Sequence, residues 1–176
     1  MRKKHFLFVL AVLCLYYTAF AQQITPLRVG DTLPEVFWKT SHAVFQNGKL
    51  TNKSLESYAG RPLLLDFWAS WCTTCLKKFP LLDSASRELG LPVMLINSKD
   101  TGDTQEKIYR ALIENMKSSL PSVVSDTLMR QYFPGHSLPH YVWIDASGRV
   151  QAITGSVPVN RQSLKEMAKE KKKVKK

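Results

Sequence analysis

Residues 63–97 confine the chain to a narrow set of folds. Leu63-Leu64-Leu65-Asp66-Phe67-Trp68 is an almost unbroken apolar run, the pattern of a strand buried on both faces. Val93 to Asn97 is a second run of strand type. Between them Leu76, Phe79, Leu82, Ala85 and Leu89 recur near helical spacing, which predicts a helix over Cys75–Leu89 with Pro80 kinking it. Strand, helix and strand in so short a stretch make a βαβ unit, which requires a parallel strand pair and a right-handed crossover. The expected class is α/β.

The flanking sequence adds elements to that unit. Gly30 to Pro34 is a turn-rich lead-in, and Val36-Phe37-Trp38 and Ala43-Val44-Phe45 are short apolar runs. Asn47-Gly48 predicts a hairpin turn before Leu50-Thr51. Ser54 to Tyr58 reads as one helical turn ending at Gly60. Residues 103–118 predict a helix capped by Asp103, with Ile108, Ala111, Leu112 and Met116 as its apolar stripe. A short helix is expected over Thr127–Phe133. A strand hairpin is expected from Tyr141–Ile144 and Val150–Thr154, and a last helix is capped by Asn160.

The formal charge of +11 is uneven along the chain. Arg2, Lys3 and Lys4 carry part of it, and the stretch 165–176 carries more, leaving only about +3 on residues 22–164. The basic body surface of a nucleic-acid binder is missing. Residues 1–21 read as a secretory signal: a basic start, an apolar run from Phe6 to Leu15, then Ala19-Phe20-Ala21 before Gln22. The apolar run is short for a membrane span, so cleavage after Ala21 is expected. Cys14 then belongs to the signal. Lys169 to Lys176 holds six Lys in eight residues and reads as a solvated helix end. The expected layout is a signal at 1–21, a domain at 22–168 and a Lys-rich tail at 169–176.

After cleavage only Cys72 and Cys75 remain. A bridge between them closes too small a loop to stabilise a fold, so the pair reads as chemistry. Cys72 falls where the buried strand gives way to the helix. Unpaired N–H groups and the helix dipole there favour an anion, which lowers a thiol pKa. Cys72 is therefore the expected nucleophile, and Cys75, one turn on, the thiol that resolves a mixed disulfide. Zinc needs at least three ligands, and only His42, His136 and His140 are candidates beyond the pair, so no metal and no cofactor are expected. Asp66 in its apolar strand is either an acid–base group, its pKa raised by burial, or a hydrogen-bonded structural carboxylate. Trp68, Tyr132, Phe133, Tyr141 and Trp143 are expected in the core, and Trp71 on the surface beside Cys72.

The segment Asp66 to Cys75 resembles the active-site segment of the thioredoxin-like superfamily. Pro80 matches its helix proline, Leu138-Pro139 before Tyr141–Asp145 its cis-proline and following strand, and Gly155 a later glycine. The signal, the Val29-Gly30-Asp31-x-x-Pro34 lead-in, the hairpin and the insert before Pro139 are similar to the exported TlpA/ResA branch. The resemblance spans about residues 28–168. It departs at Thr73-Thr74, where Gly-Pro is common, at Leu138, and at Asp66, where many exported members carry Asn.

The resemblance implies a central mixed β-sheet flanked by helices, with an N-terminal hairpin and the insert before the cis-proline. It implies an exported thiol–disulfide oxidoreductase, in the periplasm or at the outer face of the cell envelope, acting as a reductase on protein disulfides. A membrane thiol donor would re-reduce it, and cytochrome c maturation is one destination in the branch. A monomer is expected. The implied catalytic set is Cys72, Cys75 and Asp66, with Asp66 accepting the Cys75 proton. Trp71, Thr73, Thr74, Leu138 and Pro139 are the implied substrate surface. Sequence alone makes Pro139 trans, whereas the resemblance implies a cis bond facing Cys72.

Two other activities compete with this one. A peroxiredoxin needs Pro-x-x-x-Thr-x-x-Cys, but Leu65 and Ala69 stand at those positions before Cys72. A copper-handling metallochaperone on the same fold is the alternative, with His136 or His140 as distant ligand. Its cysteine spacing is longer than that found here.

Overall fold

The structure, a computed structural model, describes residues 24–135 and 137–170. The signal segment with Cys14, His136 and the tail from residue 171 lie outside the described residues. In chain order the elements are α1 (Glu35–Lys39), β1 (His42–Gln46), β2 (Lys49–Lys53), a 3₁₀ turn (Glu56–Tyr58), β3 (Leu63–Trp68), α2 (Thr73–Leu89) and β4 (Val93–Ser98). After a 3₁₀ turn at Lys99–Thr101 come α3 (Gln105–Tyr109), a π-helical stretch (Arg110–Asn115), β5 (Ser122–Asp126), α4 (Met129–Tyr132), β6 (His140–Ile144), β7 (Val150–Thr154) and α5 (Arg161–Lys169).

The strands form one seven-stranded mixed sheet in the order β2-β1-β5-β4-β3-β6-β7. β3 and β4 pair in parallel, as the βαβ reading requires, and β4 pairs in parallel with β5. The remaining pairs are antiparallel. All six residues of β3 are buried, and its side chains divide between two cores by alternation. Leu64 and Trp68 pack with Phe79 and Leu82 of α2 and Leu164 of α5. Leu63, Leu65 and Phe67 pack on the opposite face with Phe37 of α1, Met129 of α4 and Phe133. Helices therefore cover both faces of the sheet, and the apolar run of β3 is the seam between them.

Local chemistry accounts for the predicted boundaries. Asn47 (φ 51°) and Gly48 (φ 76°) both take the left-handed region that a tight hairpin turn demands. Asn160 Oδ1 accepts the N–H groups of Gln162 at 3.0 Å and Ser163 at 3.1 Å, capping α5. Pro80 lies within α2, where it cannot donate to the Leu76 carbonyl.

Four features differ from the sequence reading. The helix expected from Cys75 begins at Thr73, with Cys72 as its cap. The helix expected over 103–118 is capped by the Thr104 hydroxyl rather than by Asp103, and changes from α to π at Arg110. Asp103 is engaged elsewhere. The short helix contracts to Met129–Tyr132, because the Asp126 carboxylate takes the N–H groups of Leu128, Met129 and Arg130. β5 has no counterpart in the reading, since Val123-Val124 is a bare apolar pair. Its place is set by pairing with β1 and β4 on either side.

Candidate active site

β3 ends at Trp68, and the chain turns through Ala69, Ser70 and Trp71 into α2. The Cys72 N–H donates to the Ala69 carbonyl at 3.0 Å, closing the turn. Cys72 is the N-cap of α2, and its Sγ accepts the N–H of Cys75 at 3.2 Å. That bond uses one of the orphan donors of the helix N-terminus on sulfur, the contact that favours a thiolate. Cys72 and Cys75 are joined in a disulfide, with their Cα atoms 5.3 Å apart. Cys72 keeps 7% of its surface exposed, whereas Cys75 is fully enclosed.

Asp66 is fully buried on β3. Alternation puts it on the same face as Leu64 and Trp68, the face packed against Cys75 and Phe79. Burial pushes its carboxyl well above the usual carboxylate range. Tyr141, its register partner on β6, draws it part of the way back. That contact lies outside hydrogen-bond geometry, and neither carboxylate oxygen has a hydrogen-bond partner among the described residues. The Tyr141 hydroxyl is itself pushed up, first by burial and then by the Asp66 charge.

Trp71 is 62% exposed, and its indole N–H donates to the Thr101 carbonyl at 3.0 Å. Thr73 and Thr74 are exposed on the first turn of α2. Leu138 and Pro139 are half-buried and joined by a cis peptide bond. Trp71 and Leu138 meet in the lining of one cavity of about 170 Å³, together with Phe67, Trp68, Thr101 and Arg130. Thr73, Thr74 and Pro139 do not line it. Trp68, Tyr132, Phe133, Tyr141 and Trp143 are buried, as expected for core residues. His140 stacks edge-on against Phe67 at 5.1 Å, on the other side of the sheet from Asp66.

Several residues near the pair carried no sequence signal. Asn97 donates to the Trp68 carbonyl at 3.3 Å, and Asp103 holds Ser70. Both contacts join segments about thirty residues apart, beyond the reach of any local pattern. The polar Asn97 closing an apolar strand was the one available hint. Among the described residues no three His, Cys, Asp or Glu side chains gather as a metal-ligand set.

A mixed sheet with helices on both faces, and a paired Cys-x-x-Cys at the start of the helix after a buried strand, define a thioredoxin-like fold. The chain is an oxidoreductase of the thioredoxin type. It belongs to the Redoxin family, whose model matches residues 28–169. Thiol-disulfide oxidoreductase ResA of Geobacillus kaustophilus is 27% identical over 147 residues, covering 80% of this chain and 78% of the relative. Thiol:disulfide interchange protein DsbE of Vibrio cholerae is 32% identical over 81 residues, covering 46% and 41%. Among solved structures, MTB DsbF in mixed oxidised and reduced forms superposes with a TM-score of 0.63 at 18% identity, over 78% of this chain and 97% of that one.

The unequal exposure of the two sulfurs has a measurable consequence. After reduction, Cys72 is expected to alkylate before Cys75, with a pH midpoint below the unperturbed value of about 8.5. Mass spectrometry of quenched time courses separates the two sites. A midpoint at the unperturbed value, or faster labelling of Cys75, contradicts the cap geometry as the cause.

Proposed function

We propose that this protein is an exported disulfide reductase of the TlpA/ResA type whose Cys72–Cys75 pair exchanges electrons with protein substrates. The observation that carries the reading is the Cys72 sulfur at the cap of α2, buried but for 7% of its surface and bonded to a fully enclosed Cys75. The Cys72 thiolate attacks one sulfur of a substrate disulfide. A mixed disulfide forms, and the other substrate sulfur leaves as a thiolate and takes a proton. Cys75 then gives its proton to the Asp66 carboxylate and attacks the Cys72 sulfur. The mixed disulfide breaks, and the second substrate sulfur leaves. Two electrons have passed to the substrate, and the pair is left as a disulfide.

Asp66 suits the proton transfer because burial raises its pKa well above that of a surface carboxylate, which makes its carboxylate a stronger proton acceptor. Trp71, the residue before Cys72, and Leu138 line one cavity and supply apolar contacts for the substrate. Thr73, Thr74 and Pro139 complete the substrate surface. Residues 1–21 are a cleaved signal in this reading, residues 22–168 the working domain and 169–176 a solvated tail. The protein works as a monomer in the periplasm or at the outer face of the envelope. In so oxidising a compartment a reductase needs a supply of electrons, which a membrane thiol donor provides. The test is insulin reduction by the purified protein with dithiothreitol as electron source. Precipitation well ahead of the dithiothreitol control is expected, and a time course matching the control overturns the reading.

A further inference from the structure

Asp103 turns away from the helix it was expected to cap. Its Oδ2 accepts the Ser70 backbone N–H at 2.7 Å, and its Oδ1 accepts the Ser70 hydroxyl at 2.5 Å. Asn97 donates to Oδ2 at 2.8 Å, and also reaches the Trp68 carbonyl at 3.3 Å. Thr101, two residues earlier, receives the Trp71 indole and accepts the Asp103 N–H at 3.3 Å. Residues 97–103 are thereby fastened to Trp68, Ser70 and Trp71, the stretch that delivers Cys72 to the cap of α2.

We propose that Asp103 is a positioning residue for Cys72, holding the turn before it and placing one negative charge beside it that limits stabilisation of the thiolate. The proposal rests on Cys72 being the attacking thiol. The cap of α2 and the Cys75 N–H both favour the Cys72 anion. Unopposed, they would make a thiolate that is abundant but weakly nucleophilic, and a pair that is strongly oxidising, since nucleophilicity falls with pKa. A carboxylate bonded to Ser70 is two residues of chain and one hydrogen bond away, within roughly 10 Å of Cys72. At that range, in a half-buried site, a like charge still opposes the anion.

The other charged and titratable groups around the pair are buried, paired or turned to solvent. Asp66 and Tyr141 lie beneath it on β3 and β6, and burial favours the neutral form of each. Asp100 and Arg130 pair with each other at 3.4 Å across the neighbouring cavity. Lys78 of α2 donates to the Val159 carbonyl, and Lys77 and Lys99 are exposed to solvent. His140 faces the opposite core. Among these groups Asp103 is the one hydrogen-bonded to the turn that carries Cys72.

The test compares the reduced full chain with its Asp103→Asn and Ser70→Ala variants, reading Cys72 alkylation by iodoacetamide against pH. Asp103→Asn removes the charge, so the midpoint moves to lower pH, and alkylation at pH 6 becomes about two- to tenfold faster. The equilibrium with glutathione moves towards the dithiol in the same variant, because a stabilised thiolate stabilises the reduced form. Ser70→Ala keeps the carboxylate and the backbone bond, so its midpoint stays with the wild type. A midpoint unchanged or raised in Asp103→Asn, or moved equally by Ser70→Ala, overturns the proposal. If Asp103→Asn does not fold, Asp103→Ser, which also removes the charge, is read by the same outcomes. The midpoints need no substrate. Failure of the wild type to reduce insulin would therefore count against the reductase reading alone.

Discussion

Cys72→Ser protein is expected to reduce insulin at the dithiothreitol rate, and Cys75→Ser protein to stop after half a cycle. The two losses differ in kind because the two sulfurs differ in position. Cys72 holds the cap of α2 and the pair's remaining exposed surface, so without it no group attacks the substrate. Cys75 is enclosed and meets a substrate sulfur only through Cys72. Its absence leaves attack intact and removes resolution. With both variants reduced beforehand and dithiothreitol removed, excess substrate separates them: no burst for Cys72→Ser, and a burst of one equivalent of released thiol for Cys75→Ser. Multiple turnovers by either variant would contradict the assigned order.

Asp66→Asn is expected to slow resolution by about 10²–10⁴-fold, the range typical of a positioned acid–base group. Attack by Cys72 should be less affected, so mixed disulfide accumulates and can be trapped by acid quench. Raising the pH should restore part of the rate, because hydroxide can then deprotonate Cys75. The same substitution bears on stability, with a definite sign. The folded state raises the Asp66 pKa above its unfolded value, so between the two values the native protein holds more protons. Stability contributed by the protonated carboxyl is complete below the unfolded pKa of about 3.9 and is lost as pH rises through the folded value. Asn has no charge to bury. Its advantage in melting temperature over the wild type should therefore be small near pH 4 and grow towards neutral pH. A difference that is flat with pH, together with unchanged turnover, would remove Asp66 from both roles.

The legible parts of the fold were those in which a residue's neighbours along the chain determine its conformation. The β3–α2–β4 unit, the Asn47-Gly48 hairpin and the Asn160 cap follow from alternation, helical spacing and left-handed turn residues. The Cys72–Cys75 pair and the buried Asp66 stood out because a thiol pair at a strand–helix junction, and a carboxylate in an apolar strand, break their local patterns. What stayed hidden depends on distant pairing. β5 is short and only two residues of it are apolar, yet two neighbouring strands fix it. Asp103 matched a capping pattern in the sequence. Thr104, the next residue, supplies the cap instead, which leaves the Asp103 carboxylate to Ser70 and Asn97. The cavity shared by Trp71, Leu138 and Arg130 joins three segments that no local pattern relates.

The proposed reductase cycle requires Cys72, in partnership with Cys75, to make the covalent bond to substrate. The most direct measurement is to incubate reduced Cys75→Ser protein with oxidised insulin, quench in acid, digest without reductant and map the cross-linked peptide by mass spectrometry. A single stoichiometric adduct between an insulin cysteine and Cys72, released by dithiothreitol, is expected. The absence of a mixed disulfide at Cys72, in protein that remains folded, would contradict it.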